Sequence, residues 1–471
     1  MGNFKRNLIF AIIAQGTSTL LSILITIILP KMMGVEQFAY WQLFIFYSSY
    51  VGFFHFGLSD GLYLKYGGTN IENMDKSLIG SQFRLMVIWQ IVISIFVLLF
   101  IPFFIGNSER IFVWILTAIY LVVANATWCL GYIFQAANET KIYSVGTIIS
   151  KVSFIFVLII FLLMKQYDFR LYVILYVGTQ AVAMIYSIIK GWDFIISKWS
   201  SINFTLRETF SNIKIGINLT FSNIASSLIL GFGRGFVDSH WDINAFGVFS
   251  LSISLVNFIL QFITQISMVM FPALRQVSSE KRSEIYILLR ELLGITLCGV
   301  LILYVPMRIF FSWWLPDYSE SMKYLSVILP ICVFDGKMQM IYNTYLKVLR
   351  KERILLYINV LSCILSLLLC IALSLIYNVV IMAVLAMVIA IAIRSIISSI
   401  YLSKVMKIEL EDNLIFELLL TATFIFYNVV LECWAAFIIY AITFGFVLYI
   451  KRNTLKKALF QVITKRKKIL S

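Results

Sequence analysis

Residues 8–29, LIFAIIAQGTSTLLSILITIIL, run without a charge for about the 20 residues that a helix needs to cross the ~30 Å hydrocarbon layer. The polar residues in this stretch are ordered. Gln15, Ser18 or Thr19, Ser22 and Thr26 recur every three or four positions and share one helical face. Residues 213–237, IKIGINLTFSNIASSLILGFGRGFV, follow the same plan, with Gly216, Thr220, Asn223, Ser227, Gly231 and Arg234 on one face. In the next apolar run Ser250, Ser254, Asn257, Gln261 and Thr264 do likewise.

The two stretches are related by more than pattern. An offset of 208 brings Gln15 onto Asn223, Ser18 onto Ser226, Thr19 onto Ser227, Thr26 onto Arg234 and Phe38 onto Phe246. Further on, Tyr132–Lys141 aligns with Tyr342–Lys351 at an offset of 210. A near-constant offset over roughly a hundred residues indicates duplication of a six-span unit.

Fourteen spans are expected, near 8–29, 40–64, 78–105, 111–136, 142–164, 171–196, 213–237, 244–271, 285–311, 322–347, 354–376, 379–403, 413–431 and 433–450. No polar segment is long enough to fold its own core, and 61% of the residues are hydrophobic, so the expected fold class is an all-α polytopic membrane protein. The expected divisions are a six-helix lobe at 1–200, a second at 201–408, two additional helices at 409–450 and a basic tail at 451–471. Because six is even, the two lobes run parallel, related by a pseudo-two-fold axis along the membrane normal, and would face each other across a cleft.

The net charge of +15 does not imply nucleic acid, because the charges are segregated. Of the 38 Lys and Arg, 27 fall on one side of this topology and 5 on the other, which predicts a cytoplasmic membrane protein with both termini inside. The run Lys465-Arg466-Lys467-Lys468 is expected to touch anionic membrane lipid. No secretory cleavage site follows the first apolar run, so it reads as a retained span.

Six cations, assigned to neither side, remain within spans: Arg84, Lys151, Arg234, Arg308, Lys337 and Arg394. A charge at the bilayer centre costs about 2.5–3.5 kcal/mol on insertion scales, so each needs a reason. Arg84 and Arg308 lie near span ends and can snorkel. Lys151, Lys337, Arg394 and Arg234 are deeper, and facing a cleft they would suit an anion such as a phosphate or pyrophosphate. For Arg234 the alternative is a pair with Asp238, four residues on. Asp60 and Asp335 are the in-span carboxylates considered for coupling to a proton or Na⁺, or for neutralising a neighbouring cation. The stripes of Gln15, Ser18, Ser22, Thr26, Asn223, Ser227, Asn257 and Gln261 serve either helix packing or cavity lining, and their presence in both halves favours lining.

Six cysteines at unrelated spacings form neither a disulfide framework nor a zinc site. The segment Asp238-Ser239-His240-Trp241-Asp242 is a weak metal pattern and reads as an outer loop. No P-loop, paired catalytic carboxylates, nucleophile elbow or HExxH occurs, so no enzyme, cofactor or metal site is expected.

Taken in order, LPKMMGVEQFAYWQL, FGLSDGLYLKYGG, YIFQAANETKIYSVGTIISK, FGVFSLSISL, MFPALRQVSS and TYLKVLRKERILLYINVLSCILSLLL resemble the bacterial polysaccharide transport family. Its members include the O-antigen repeat-unit flippases of the multidrug/oligosaccharidyl-lipid/polysaccharide exporter superfamily. The resemblance implies a V-shaped, two-lobed bundle. It would move an undecaprenyl-pyrophosphate-linked oligosaccharide by alternating access, for surface polysaccharide of O-antigen or capsule type, beside a polymerase and other assembly proteins. It implies cleft cations on the pyrophosphate, mapping first onto Arg234 and then onto Lys151, Lys337, Arg84 and Arg394. Members commonly have twelve spans; fourteen matches lipid-flipping relatives whose extra pair is associated with a groove for the lipid tail. A multidrug or cation antiporter of the superfamily would require acidic residues deep in the cleft. A membrane polymerase or glycosyltransferase would require a sizeable loop with catalytic residues.

Overall fold

The computed structural model describes residues 2–275, 277–409, 413–431 and 433–453, and among these every regular element is a helix. The basic run at 465–468 lies outside the described residues, as do the side chains of Lys5 and Arg6. The chain divides into two compact units, one reaching Ile224 and one starting at Ala225.

In the first unit the helices are α1 (Gly2–Ile27), α2 (Leu29–Ser48), α3 (Leu58–Tyr66), α4 (Lys76–Phe104), α5 (Ser108–Ala136), α6 (Thr140–Leu163), α7 (Phe169–Lys190) and the short α8 (Trp192–Ile195). The helix α9 (Ile202–His240) contains the boundary between the units. Side-chain caps start three of the helices. Asp75, Asn107 and Asp168 accept from the N–H groups of Leu78, Arg110 and Arg170, satisfying donors that a helix start leaves orphaned. At the centre, α5 packs against α2, α3, α4, α6 and α7.

The span expected at 40–64 is broken. A 3-10 turn at Val51–His55 separates α2 from α3, and the chain passes through left-handed conformations at Phe56 (φ 50°) and Gly57 (φ 89°). In lipid an unsatisfied backbone carbonyl costs several kcal/mol, so such a break requires donors. They come from neighbouring helices: Asn125 Nδ2 donates to Val51 O at 2.8 Å, Gln90 Nε2 to Phe54 O at 2.7 Å and Trp89 Nε1 to the same oxygen at 3.0 Å. Close backbone approach then seats α9 on α3. A Cβ on Gly61 would lie 1.9 Å from Asn212 O, and one on Gly216 would lie 2.1 Å from Gly57 O.

The second unit continues with α10 (Ile243–Arg275), α11 (Ser279–Val300), α12 (Tyr304–Trp314), α13 (Ser319–Ile328), α14 (Ile331–Lys337), α15 (Asn343–Val348), α16 (Glu352–Tyr377), α17 (Val380–Met406), α18 (Asn413–Val430) and α19 (Cys433–Ile450). The expected ninth span tightens into a 3-10 turn at Leu301–Leu303, where Pro306 lacks the N–H of a regular ladder. The expected tenth is bent by 49° where Pro330 stands between α13 and α14, and a π-helical turn at Met338–Tyr342 joins α14 to α15. The last pair is packed into this unit, α18 lying against α11 and α13.

All fourteen expected stretches therefore fall on helical segments. Among the described residues eleven helices are long and apolar enough to span a membrane, or twelve counting the bent pair as one span. The shorter count follows from the break in the second stretch and the brevity of the last, which is apolar over Trp434–Ile450. The protein is a multi-pass membrane protein.

Candidate functional site

Lys151 stands at the midpoint of α6, where α5, α6 and α7 enclose a cavity of about 240 Å³ in the first unit. Four rings line it, those of Tyr120, Trp128, Tyr143 and Tyr176, with Thr147, Ser150 and Gln180 as polar neighbours. The ammonium lies 5.5 Å from the ring centre of Tyr176, an attraction worth about 0.5–2 kcal/mol. Tyr176 is held in turn by Trp41, Phe44, Tyr120 and Phe154, at centroid distances of 5.8, 5.8, 5.7 and 5.4 Å. Ser150 Oγ donates to Gln180 Oε1 at 3.0 Å. No acidic side chain lines the cavity, and no described carboxylate forms an ion pair with Lys151.

The other deep cations lie elsewhere. Arg234 is half-buried on α9, donates from Nη2 to Ser250 Oγ at 3.1 Å and stands 5.3 Å from the ring centre of Phe246. Lys337, expected to hold substrate, is instead wholly buried, with Nζ 2.8 Å from both carboxylate oxygens of Glu417. Gly294 makes room for that carboxylate, since a Cβ there would lie 1.7 Å from Glu417 Oε1. Arg394, also expected on substrate, pairs with Asp335 and donates to Ser226 Oγ at 2.8 Å. Burying either cation alone would be strongly destabilising, and the carboxylates offset part of that cost. Arg84 is likewise withdrawn: its guanidinium donates to the carbonyls of Ile195 and Ser197 and stacks 4.4 Å from the Trp199 ring centre. It closes the carbonyl end of α8, a role that needs a cation but no ligand.

Asp335 is therefore engaged by Arg394, and its second oxygen accepts from Gln339 Nε2. Asp60 differs. It is 7% exposed, accepts from Thr220 Oγ1 at 2.6 Å, and has His55 Nε2 at 3.8 Å as its ion-pair neighbour. The Gly57 N–H donates to His55 Nδ1 at 2.9 Å, which places the imidazole proton on Nε2, facing the carboxylate. Glu417 and the pairing of His55 with Asp60 were missed by sequence reasoning. An acid within the apolar run IFELLLTATFIF was as anomalous as Lys337 and was the available signal for Glu417.

Ser18 and Ser22 donate to the carbonyls of Ala14 and Ser18 on their own helix, Thr26 is buried, and Gln15 and Gln261 are half-buried. Asn223, Ser227 and Asn257 are exposed in mid-helix. Among the described residues no three His, Cys, Asp or Glu side chains converge as a metal site.

A family model described as polysaccharide biosynthesis protein matches residues 4–278. The chain belongs to that family. Among solved structures it is similar to the lipid II flippase MurJ in an inward closed conformation, with TM-score 0.68 and 17% identity over 95% of this chain and 100% of that one. A multidrug resistance MATE family transporter in an inward-facing conformation gives 0.61 and 12%, over 83% and 94%. A transporter from Pyrococcus furiosus, described by the reverse polarity of its binding pocket, gives 0.56 and 12%, over 86% and 95%. These likenesses show the fold, one found in transporters of the MOP superfamily. No curated protein sequence matches significantly.

Proposed function

We propose that this member of the polysaccharide biosynthesis family is a flippase. It would carry a polyprenyl-diphosphate-linked oligosaccharide from the inner to the outer leaflet of the cytoplasmic membrane, with both termini inside, for surface polysaccharide of O-antigen or capsule type. One observation carries the reading. Lys151 holds a positive charge at the midpoint of a membrane helix, in a cavity walled by aromatic and hydroxyl side chains and without a carboxylate. An intramembrane charge without a countercharge supports an anionic ligand. The exposed Asn223, Ser227 and Asn257 support a water-filled path, since lipid tolerates such groups poorly.

Arg234 is the proposed contact to the diphosphate, because its guanidinium suits a phosphate fork. Asp60 is the proposed coupling site for a proton or Na⁺, since it is a buried acid beside a histidine with no Lys or Arg in ion-pair reach among the described residues. A drug or cation antiporter fits less well, because Asp335 and Glu417 are both engaged by cations.

Lys151→Met and Arg234→Ala are each expected to abolish export of surface polysaccharide, with normal amounts of protein in the membrane and lipid-linked repeat units accumulating on the inner face. Normal export by both variants would refute the reading. Continued export of single unpolymerised units in a deletion strain would point instead to a polymerase.

A further inference from the structure

The cavity around Lys151 carries one formal charge, and that number discriminates between the parts of a lipid-linked glycan. A diphosphate diester bears two negative charges. Sites for such groups gather several donors, from Arg forks, more than one cation or the free N–H groups of a helix start. Among the described residues none of these meets Lys151. It lies midway along α6, where the backbone N–H groups are spent within the helix. A diphosphate here would leave one negative charge uncompensated in a low-dielectric wall. A single carboxylate would neutralise the ammonium one for one.

The remaining walls fit a sugar better than a phosphate. The rings of Tyr120, Trp128 and Tyr176 line the cavity and are of the type that packs on the C–H side of a pyranose, and the volume of about 240 Å³ admits one such ring. Gln180 accepts from Ser150 through its Oε1, and its Nε2 has no acceptor among the described residues. That amide is a donor for a ring hydroxyl or a carboxylate.

We infer that this cavity receives one acidic sugar of the glycan, a hexuronic-acid ring whose carboxylate meets Lys151, and that the diphosphate is held elsewhere. The assignment rests on the flippase reading only for what delivers the sugar, since the ring can be tested on the protein alone.

The test uses full-length protein in lipid nanodiscs, titrated calorimetrically with methyl glucuronide, methyl glucoside and methylenediphosphonate. The glucuronide is expected to bind at least tenfold more tightly than the glucoside. Lys151→Met should erase that preference and Lys151→Arg should keep it. Equal affinity for the two sugars, no binding of either, or displacement of the glucuronide by equimolar diphosphonate would overturn the inference. The comparison of ligands on unmodified protein stands even where a variant fails to fold. Export in a deletion strain, complemented by the unmodified protein, separates the two claims. Restored export without glucuronide selectivity sinks the sugar site and leaves the flippase. Selectivity without any effect of the deletion on lipid-linked glycan sinks the flippase and leaves the site.

Discussion

Lys151 and Lys337 are the same residue type, both within apolar membrane segments, and their surroundings give them opposite work. Lys337 is locked to Glu417 with no exposure, whereas Lys151 faces a cavity across an aromatic ring. Removing one partner of a buried pair leaves a stranded charge and typically costs about 3–5 kcal/mol, whereas replacing both with apolar groups is often neutral. Lys337→Met and Glu417→Leu should therefore each lower the thermal unfolding temperature in detergent markedly, and the double variant should recover most of the loss. Additive losses in the double variant would show that the pair does not act as a unit. The sequence displayed both lysines as anomalies but not what answered them. Glu417 is 80 positions from Lys337, and only the packing of α18 on α11 brings it in. The engagement of Arg84 with the carbonyls of Ile195 and Ser197 was hidden for the same reason.

Among the elements, the broken second span shows how a membrane helix is interrupted without stranding its backbone. Asn125 is fully buried and also donates from Nδ2 to Gln90 Oε1 at 3.2 Å, so two amides on α4 and α5 serve a turn that neither helix contains. Leaving a buried acceptor unsatisfied costs about 1–3 kcal/mol. Asn125→Leu is expected to destabilise the protein by that amount, read from detergent melting. An unchanged melting point would mean that the carbonyl of Val51 finds another donor. Gly61→Val should be worse, because its side chain would overlap the backbone of α9 at Asn212. Apolar length made the helices legible, but it could not reveal breaks. Gly57 and Pro330 were visible as residues, while the conformations they adopt depend on neighbours distant in the chain.

For the molecule as a whole, the all-helical membrane fold was readable from apolar length and periodicity, because the bilayer leaves a chain few alternatives, and the family from the resemblance of segments taken in order. The allocation of charges was not, since it is decided by long-range pairing. Asp60→Asn is expected to insert and fold normally, with Thr220 still donating to the amide oxygen, while export loses its dependence on the proton or Na⁺ gradient. Gradient-dependent export by this variant would place coupling at another group.

The wide turn at Met338–Tyr342 bears on the duplication expected from the sequence. A helix that acquires one residue can keep its ends in place only by letting one loop of its ladder swell, and that swelling is an i→i+5 turn. The equivalence between the halves drifts from 208 to 210 between Phe246 and Tyr342, and the swollen turn sits at the end of that interval. On the expectation that the halves arose by doubling, the swollen turn would accommodate one of the two surplus residues, beside the lysine that Glu417 neutralises.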